Sequence, residues 1–178
     1  MLPGRPPQRA RVAAAVLAMA LLLSGCAVKG LGFQVDDRVE IVGPKNQATL
    51  KLPVTVRWRT KDFQVTGPGG AARPDAGYFA VFLDRSPQPP GETVEWLAKE
   101  DRTCFRSRGC PDAAWFESHN IFPTTATSFT VDALPIQTKE DRRFLHEVTV
   151  VLLDASGRRL GEGAFWVQFR VDGRRGPV

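Results

Sequence analysis

Two histidines and a group of four acidic residues are the side chains best suited to acid–base chemistry in this sequence. A hydrolytic triad needs a nucleophile, a base and an orienting acid in contact, and no serine lies in a G-x-S-x-G pattern. His146 begins a strand-like segment, which favours a structural hydrogen bond, and His119 lies in a polar segment, which favours the surface. Paired carboxylates of glycosidase type are an alternative, but clustered acids are more typical of a solvated face. We therefore predict no catalytic residue. The four acids are Glu92, Glu95, Glu100 and Asp101.

Cys26 follows a segment with the three parts of a secretory signal. Three arginines precede an unbroken apolar run, Val12–Leu23, and no acidic residue occurs before Asp36. This run suits a signal core and is shorter than the ~20 residues that a transmembrane helix needs. The four residues that end at Cys26, LSGC, resemble the lipobox of bacterial lipoproteins. The resemblance implies that residues 1–25 are cleaved and that the Cys26 thiol carries a lipid, which would anchor the protein to a membrane outside the cytoplasm.

Cys104 and Cys110 remain once Cys26 is assigned to the lipid. An even pair in an oxidising compartment predicts a disulfide, and the short loop that it closes contributes on the order of 2 kcal/mol. A metal pair and two free thiols are the alternatives. A zinc site needs about four ligands, and His119 is the only histidine near these cysteines in sequence.

The sequence has few of the ligands and motifs that a carrier of a metal or cofactor needs. Both methionines, Met1 and Met19, lie in the leader. The rest of the chain therefore cannot bind Cu(I) through thioethers, and a Cu(II) site would have at most two imidazoles. No Walker, dinucleotide-binding or EF-hand pattern occurs. We predict no metal and no cofactor, and an envelope carrier of a metal or small ligand stays an alternative.

The charge of the chain changes when the leader is removed. The 24 basic residues less three leader arginines leave 21, against 19 acidic residues, for a net charge of +2. Together with export, this small charge argues against nucleic acid as a partner. Arginines recur in and around the predicted loops, either as contacts for an anionic polymer or lipid headgroups or as solubilising turn residues. They are Arg102, Arg106, Arg108, Arg142, Arg143, Arg158, Arg159, Arg174 and Arg175.

An insert from Pro87 to Phe122 is the candidate recognition surface, because it combines aromatic rings and arginines with the predicted disulfide. Aromatic residues and arginine are the types favoured at interface hot spots. The alternative is that these rings cap an open end of the core. The candidate partner surface comprises Trp96, Arg102, Phe105, Arg106, Arg108, Trp115 and Phe116.

The elements that must position these residues are mainly β-strands. Pro53–Arg59 alternates between apolar and polar residues, the mark of a half-buried strand, whereas Tyr78–Leu83 is apolar on both faces and reads as a central strand. Glu147–Leu153 and Gly163–Val171 form a C-terminal hairpin around a turn at residues 154–157. Further strands are predicted at 38–42, 121–122 and 128–131, a loop at 67–77, a short helix or edge strand at 92–98, and helical turns at 111–118 and 138–143.

Three segments resemble fibronectin type III and bacterial immunoglobulin-like domains: LPVTVRW with Trp58, TSFTVDAL at 127–134, and HEVTVVLLDASGRRLGE at 146–162. The resemblance implies adhesion, spacing or partner binding, a range of functions that the fold alone does not narrow.

We therefore predict an all-β protein: a single immunoglobulin-like or fibronectin type III-like antiparallel β-sandwich of about seven or eight strands with short helical inserts. The expected organisation is a signal peptide at 1–25, a tether at 26–37, the sandwich at 38–173 and a tail at 174–178. The function expected is a lipid-anchored, non-enzymatic module outside the cytoplasm that binds or scaffolds an envelope protein or polymer. A small cell-surface hydrolase or carbohydrate-active domain is the alternative.

Overall fold

The computed structural model describes residues 36–134 and 145–172. Within them, nine strands form two sheets, as an all-β sandwich requires. The first sheet has the order β1-β3-β7, and the second has the order β2-β9-β8-β5-β4, with β6 also paired to β5. The strands are β1 (Val39–Gly43), β2 (Ala48–Leu50), β3 (Val54–Thr60), β4 (Gln64–Val65), β5 (Ala76–Leu83), β6 (Ile121–Thr124), β7 (Ser128–Val131), β8 (His146–Leu153) and β9 (Phe165–Val171).

The core between the sheets follows from the alternation seen in the sequence. Val54, Val56 and Trp58 of β3 are buried and the intervening residues are more exposed, as predicted. Trp58 packs edge-on against Phe79 of β5, with ring centroids 5.5 Å apart. This contact joins the two sheets, since β3 and β5 belong to different sheets.

β5 is buried at all eight positions, which confirms the prediction of a central strand. Phe79, Val81 and Leu83 face the core between the sheets. Tyr78, Ala80 and Phe82 belong to a second core on the opposite face of the same strand. Successive side chains of a strand point to opposite faces, so a strand that is apolar at every position needs a cover on both sides.

The insert between β5 and β6 supplies that second cover. It contains a 3₁₀ helix (Val94–Ala98), α1 (Arg102–Arg106) and α2 (Ala113–Ser118). Val94 and Phe116 are buried in the second core, with Leu97 and Trp115 packed against it. The helical alternative for 92–98 is therefore correct and the edge-strand alternative is not. The rings of α2 cover the outer face of a sheet rather than an open end of the sandwich.

The C-terminal hairpin has the predicted strands and turn. β8 pairs antiparallel with β9, and Gly157 in the turn has a φ of +80°. Two short pairings correct the predicted antiparallel arrangement, because β2 lies parallel to β9 and β4 lies parallel to β5. Neither β2 nor β4 is evident in the sequence, since two or three residues are too few to show a period.

Several sequence predictions fall outside the described residues. These are the signal peptide and Cys26, residues 26–35 of the tether, the helical turn at 138–143, and the tail at 174–178. Within the described ranges, no helix combines the length and the apolar character that a membrane span requires.

Candidate partner surface on the insert

Cys104 and Cys110 are joined by a disulfide, with their Cα atoms 5.2 Å apart. This pairing confirms the sequence prediction and is a feature typical of extracytoplasmic proteins. Cys104 is buried, so the bond fastens residues 102–110, here named the disulfide loop, to the body of the domain.

Two aspartates that flank the disulfide loop cap α1, which lies within the loop, and α2, which follows it. Asp101 accepts hydrogen bonds from the backbone N–H groups of Thr103 and Cys104 at the start of α1. Its second carboxylate oxygen accepts a hydrogen bond of 2.8 Å from Nε1 of Trp115. The Trp115 bond, followed by the backbone bond from Cys104, lowers the pKa of Asp101. Asp112 caps α2 through the backbone N–H of Trp115.

The disulfide loop carries three arginines and no acidic residue. Arg102, Arg106 and Arg108 are all exposed. Within the described residues, none of the three forms an ion pair with a carboxylate. Between them lies Phe105, whose exposed fraction is 89%. The loop therefore presents one free aromatic ring among three positive charges.

The aromatic residues of the predicted partner surface are not equivalent. Trp96 is half-buried, and Nζ of Lys99 lies 3.6 Å from the centroid of its ring. Trp115 is half-buried and contacts the ring of Phe116 edge-on at 5.5 Å. Phe116 is only 9% exposed and belongs to the second core. Of the seven residues predicted to form the surface, the exposed ones are Phe105 and the three arginines.

Both histidines have structural contacts. His119 stacks on Trp115 with ring centroids 4.0 Å apart, and its Nδ1 lies 2.7 Å from the Trp115 carbonyl oxygen. His146 is buried, and its Nδ1 lies 2.7 Å from Oδ2 of Asp84. The second Asp84 oxygen accepts the backbone N–H of Glu147. These contacts agree with the structural hydrogen bond expected for His146.

The predicted acidic group does not form one site. Glu92, Glu95 and Glu100 are exposed, in line with a solvated face, whereas Asp101 is occupied with the helix cap. Within the described residues, no group of three or more histidine, cysteine or acidic side chains has the spacing to hold a metal ion. A shallow cavity of about 490 Å³ lies elsewhere, lined by residues 37–40 and 59–61.

Arg159 fits neither of the two interpretations of the loop arginines, as contacts for an anionic partner or as solubilising turn residues. It is buried, and its guanidinium donates to the carbonyl oxygens of Gln88, Glu162 and Gly163. Removal from water lowers its pKa. Its neighbour Arg158 donates to the carbonyl oxygen of Gly91. The sequence carries no sign of this role, because the acceptors are backbone oxygens that any residue could supply.

Comparison of the chain with protein-family models, curated proteins and solved structures found no match.

Proposed function

We propose that this chain is an exported lipoprotein whose β-sandwich acts as a non-enzymatic binding or scaffolding module at the cell envelope. The observation that carries the proposal is the LSGC segment directly after a basic and apolar leader. The Cys104–Cys110 disulfide supports an oxidising compartment. Acylation of Cys26 would hold the domain at the membrane, because each buried CH₂ contributes about 0.8 kcal/mol.

A binding role is supported by the disulfide loop. The loop exposes Phe105 and three arginines on a covalently fastened segment. The backbone of such a loop loses little conformational freedom when it binds, which favours affinity. The resemblance of LPVTVRW, TSFTVDAL and the final hairpin to immunoglobulin-like modules supports the same role, since those modules serve adhesion and partner binding.

Cell fractionation of a Cys26→Ala variant tests the anchor. Without the thiol there is no acceptor for the lipid, so we expect the variant to leave the membrane fraction or to be mislocalised. A Cys104→Ser/Cys110→Ser variant is the matched control, because it also replaces cysteines but keeps the LSGC segment. If the Cys26→Ala variant stays membrane-bound and still carries a lipid, the proposal is wrong.

A pull-down tests the binding role. Native envelopes are crosslinked with the wild-type protein and with a Phe105→Ser/Arg106→Ser variant, whose changes lie on the exposed loop. We expect a crosslinked envelope component that is present with wild type and depleted with the variant. Equal recovery with both proteins would assign the partner to another surface and would contradict this role for the loop.

A further inference from the structure

We propose that the disulfide loop docks on an anionic lipid surface, with the Phe105 ring inserted at the boundary between headgroups and acyl chains. The inference builds on the proposed function by naming the partner of the same surface. It does not require the lipid on Cys26, because the loop would make its own contact with the membrane.

The charge of the disulfide loop fits this partner. Three arginines occur within residues 102–110 without an acidic residue. The nearest carboxylates on either side, Asp101 and Asp112, are turned toward backbone N–H groups at the starts of α1 and α2. The helix N–H groups that these two carboxylates accept from therefore offset part of their negative charge. Each cationic side chain near an anionic membrane contributes about 1 kcal/mol, which raises the binding constant roughly fivefold.

The position of Phe105 distinguishes it from the other rings of the insert. Phe116 is buried, and Trp115 is held by its hydrogen bond to Asp101 and by its contact with His119. Phe105 is 89% exposed, whereas the next most exposed large apolar side chain in the described ranges, Trp166, is 49% exposed. A lone exposed ring flanked by cations is the composition of a membrane-surface contact, in which the ring enters the interface and the charges stay at the headgroups.

The disulfide lowers the entropic cost of such insertion. Residues that are free in solution lose conformational entropy when they bind a surface. The Cys104–Cys110 bond and the Asp101 cap already hold α1 in place. The loop can therefore meet the membrane without first becoming ordered.

Depth-dependent fluorescence quenching tests the proposal on the full native protein. A Phe105→Trp variant and a Val42→Trp variant are reconstituted in vesicles whose lipids are brominated high on the acyl chain, with or without about 30% phosphatidylglycerol. Val42, on β1, is the matched control because it is another exposed apolar residue, at 44%. The signal from the native tryptophans is subtracted with the wild-type protein.

We expect the added indole at 105 to be quenched in anionic vesicles and the one at 42 to be unaffected. Adding Arg106→Ser and Arg108→Ser to the 105 probe should lower the ratio of docked to free loops about 25-fold. Raising the salt concentration to about 1 M, which shortens the Debye length to about 3 Å, should also weaken docking.

Equal quenching of both probes would overturn the proposal, and so would quenching at 105 that ignores anionic lipid and salt. A change in the fluorescence at 105 with soluble polyglutamate but not with vesicles would assign the loop to an anionic polymer instead. Mass spectrometry of the same preparation reports separately whether Cys26 is acylated. Failure of the anchor and failure of docking are therefore distinguishable.

Discussion

Replacement of Phe116 by alanine tests whether the insert is a structural cover of the second sheet. Phe116 is 9% exposed and packs with residues of β5 and β8. Removal of roughly 120 Å² of apolar surface at about 25 cal/mol per Å² costs about 3 kcal/mol. Loss of the edge-on contact with Trp115 adds about 1 kcal/mol. We therefore expect the free energy of unfolding to fall by about 4 kcal/mol, within the usual range for buried phenylalanine.

Phe105→Ala is the matched control, since it makes the same chemical change in the same insert. At 89% exposure, truncation of Phe105 should alter the free energy of unfolding by no more than about 0.5 kcal/mol. A domain of this size has a stability of about 5–15 kcal/mol, so both variants should fold.

Urea unfolding followed by circular dichroism measures both variants against the wild type. We expect a large decrease in the midpoint for Phe116→Ala, and a decrease in melting temperature of about 10 °C in a thermal scan. A loss below about 1 kcal/mol for Phe116→Ala, or equal losses for the two variants, would refute the assignment of α2 as the cover of the outer face.

Three further predictions concern the Cys104–Cys110 disulfide, the close backbone contact at Gly77 and the pKa of Tyr78. Replacing Cys104 and Cys110 together by serine should lower the free energy of unfolding by about 2 kcal/mol, because the unfolded chain regains the entropy of an open loop; an unchanged urea midpoint would contradict this. In Gly77→Ala the new Cβ would meet a backbone carbonyl oxygen of β8, so we expect a loss of about 3 kcal/mol or more. Gly69→Ala, also at positive φ but with open space around it, should cost only about 1 kcal/mol, and similar losses would refute the packing argument. Burial, aided by nearby acidic charges, raises the pKa of Tyr78 to about 12, and this is the single tyrosine of the chain. The rise in absorbance at about 295 nm that accompanies ionisation of Tyr78 should thus have its midpoint near pH 12 rather than at the usual value of about 10. Because the pKa of Tyr78 is higher in the folded than in the unfolded protein, the neutral phenol contributes stability that is complete below about pH 10 and is lost as the pH rises toward 12. A Tyr78→Phe variant should lack this decline in the free energy of unfolding.

Short-range patterns in the sequence were sufficient for the main strands. The alternation around Trp58 and the apolar run at Tyr78–Leu83 depend only on neighbouring residues, and both strands occur as predicted. The same run implied a cover on each face of β5, but it did not identify the segment that supplies the second one. That information is in the packing of the insert, which joins residues distant in sequence.

The candidate site was predictable in composition but not in detail. Phe105 and Phe116 are the same residue type, 11 positions apart, and only the fold makes one exposed and the other buried. α1 has five residues, too few to show a helical period, and it depends on the Asp101 cap and the disulfide. Arg159 is buried through a bond to a carbonyl oxygen 71 residues away, a contact that leaves no trace in residue type.

The most direct test of the proposed lipoprotein is intact-mass and peptide mass spectrometry of the protein purified from its native membrane. We predict a chain that begins at Cys26, lacks residues 1–25 and carries a diacylglyceryl group on the cysteine thiol. A chain that retains the leader and has no fatty acid on Cys26 would contradict the anchor and the compartment together.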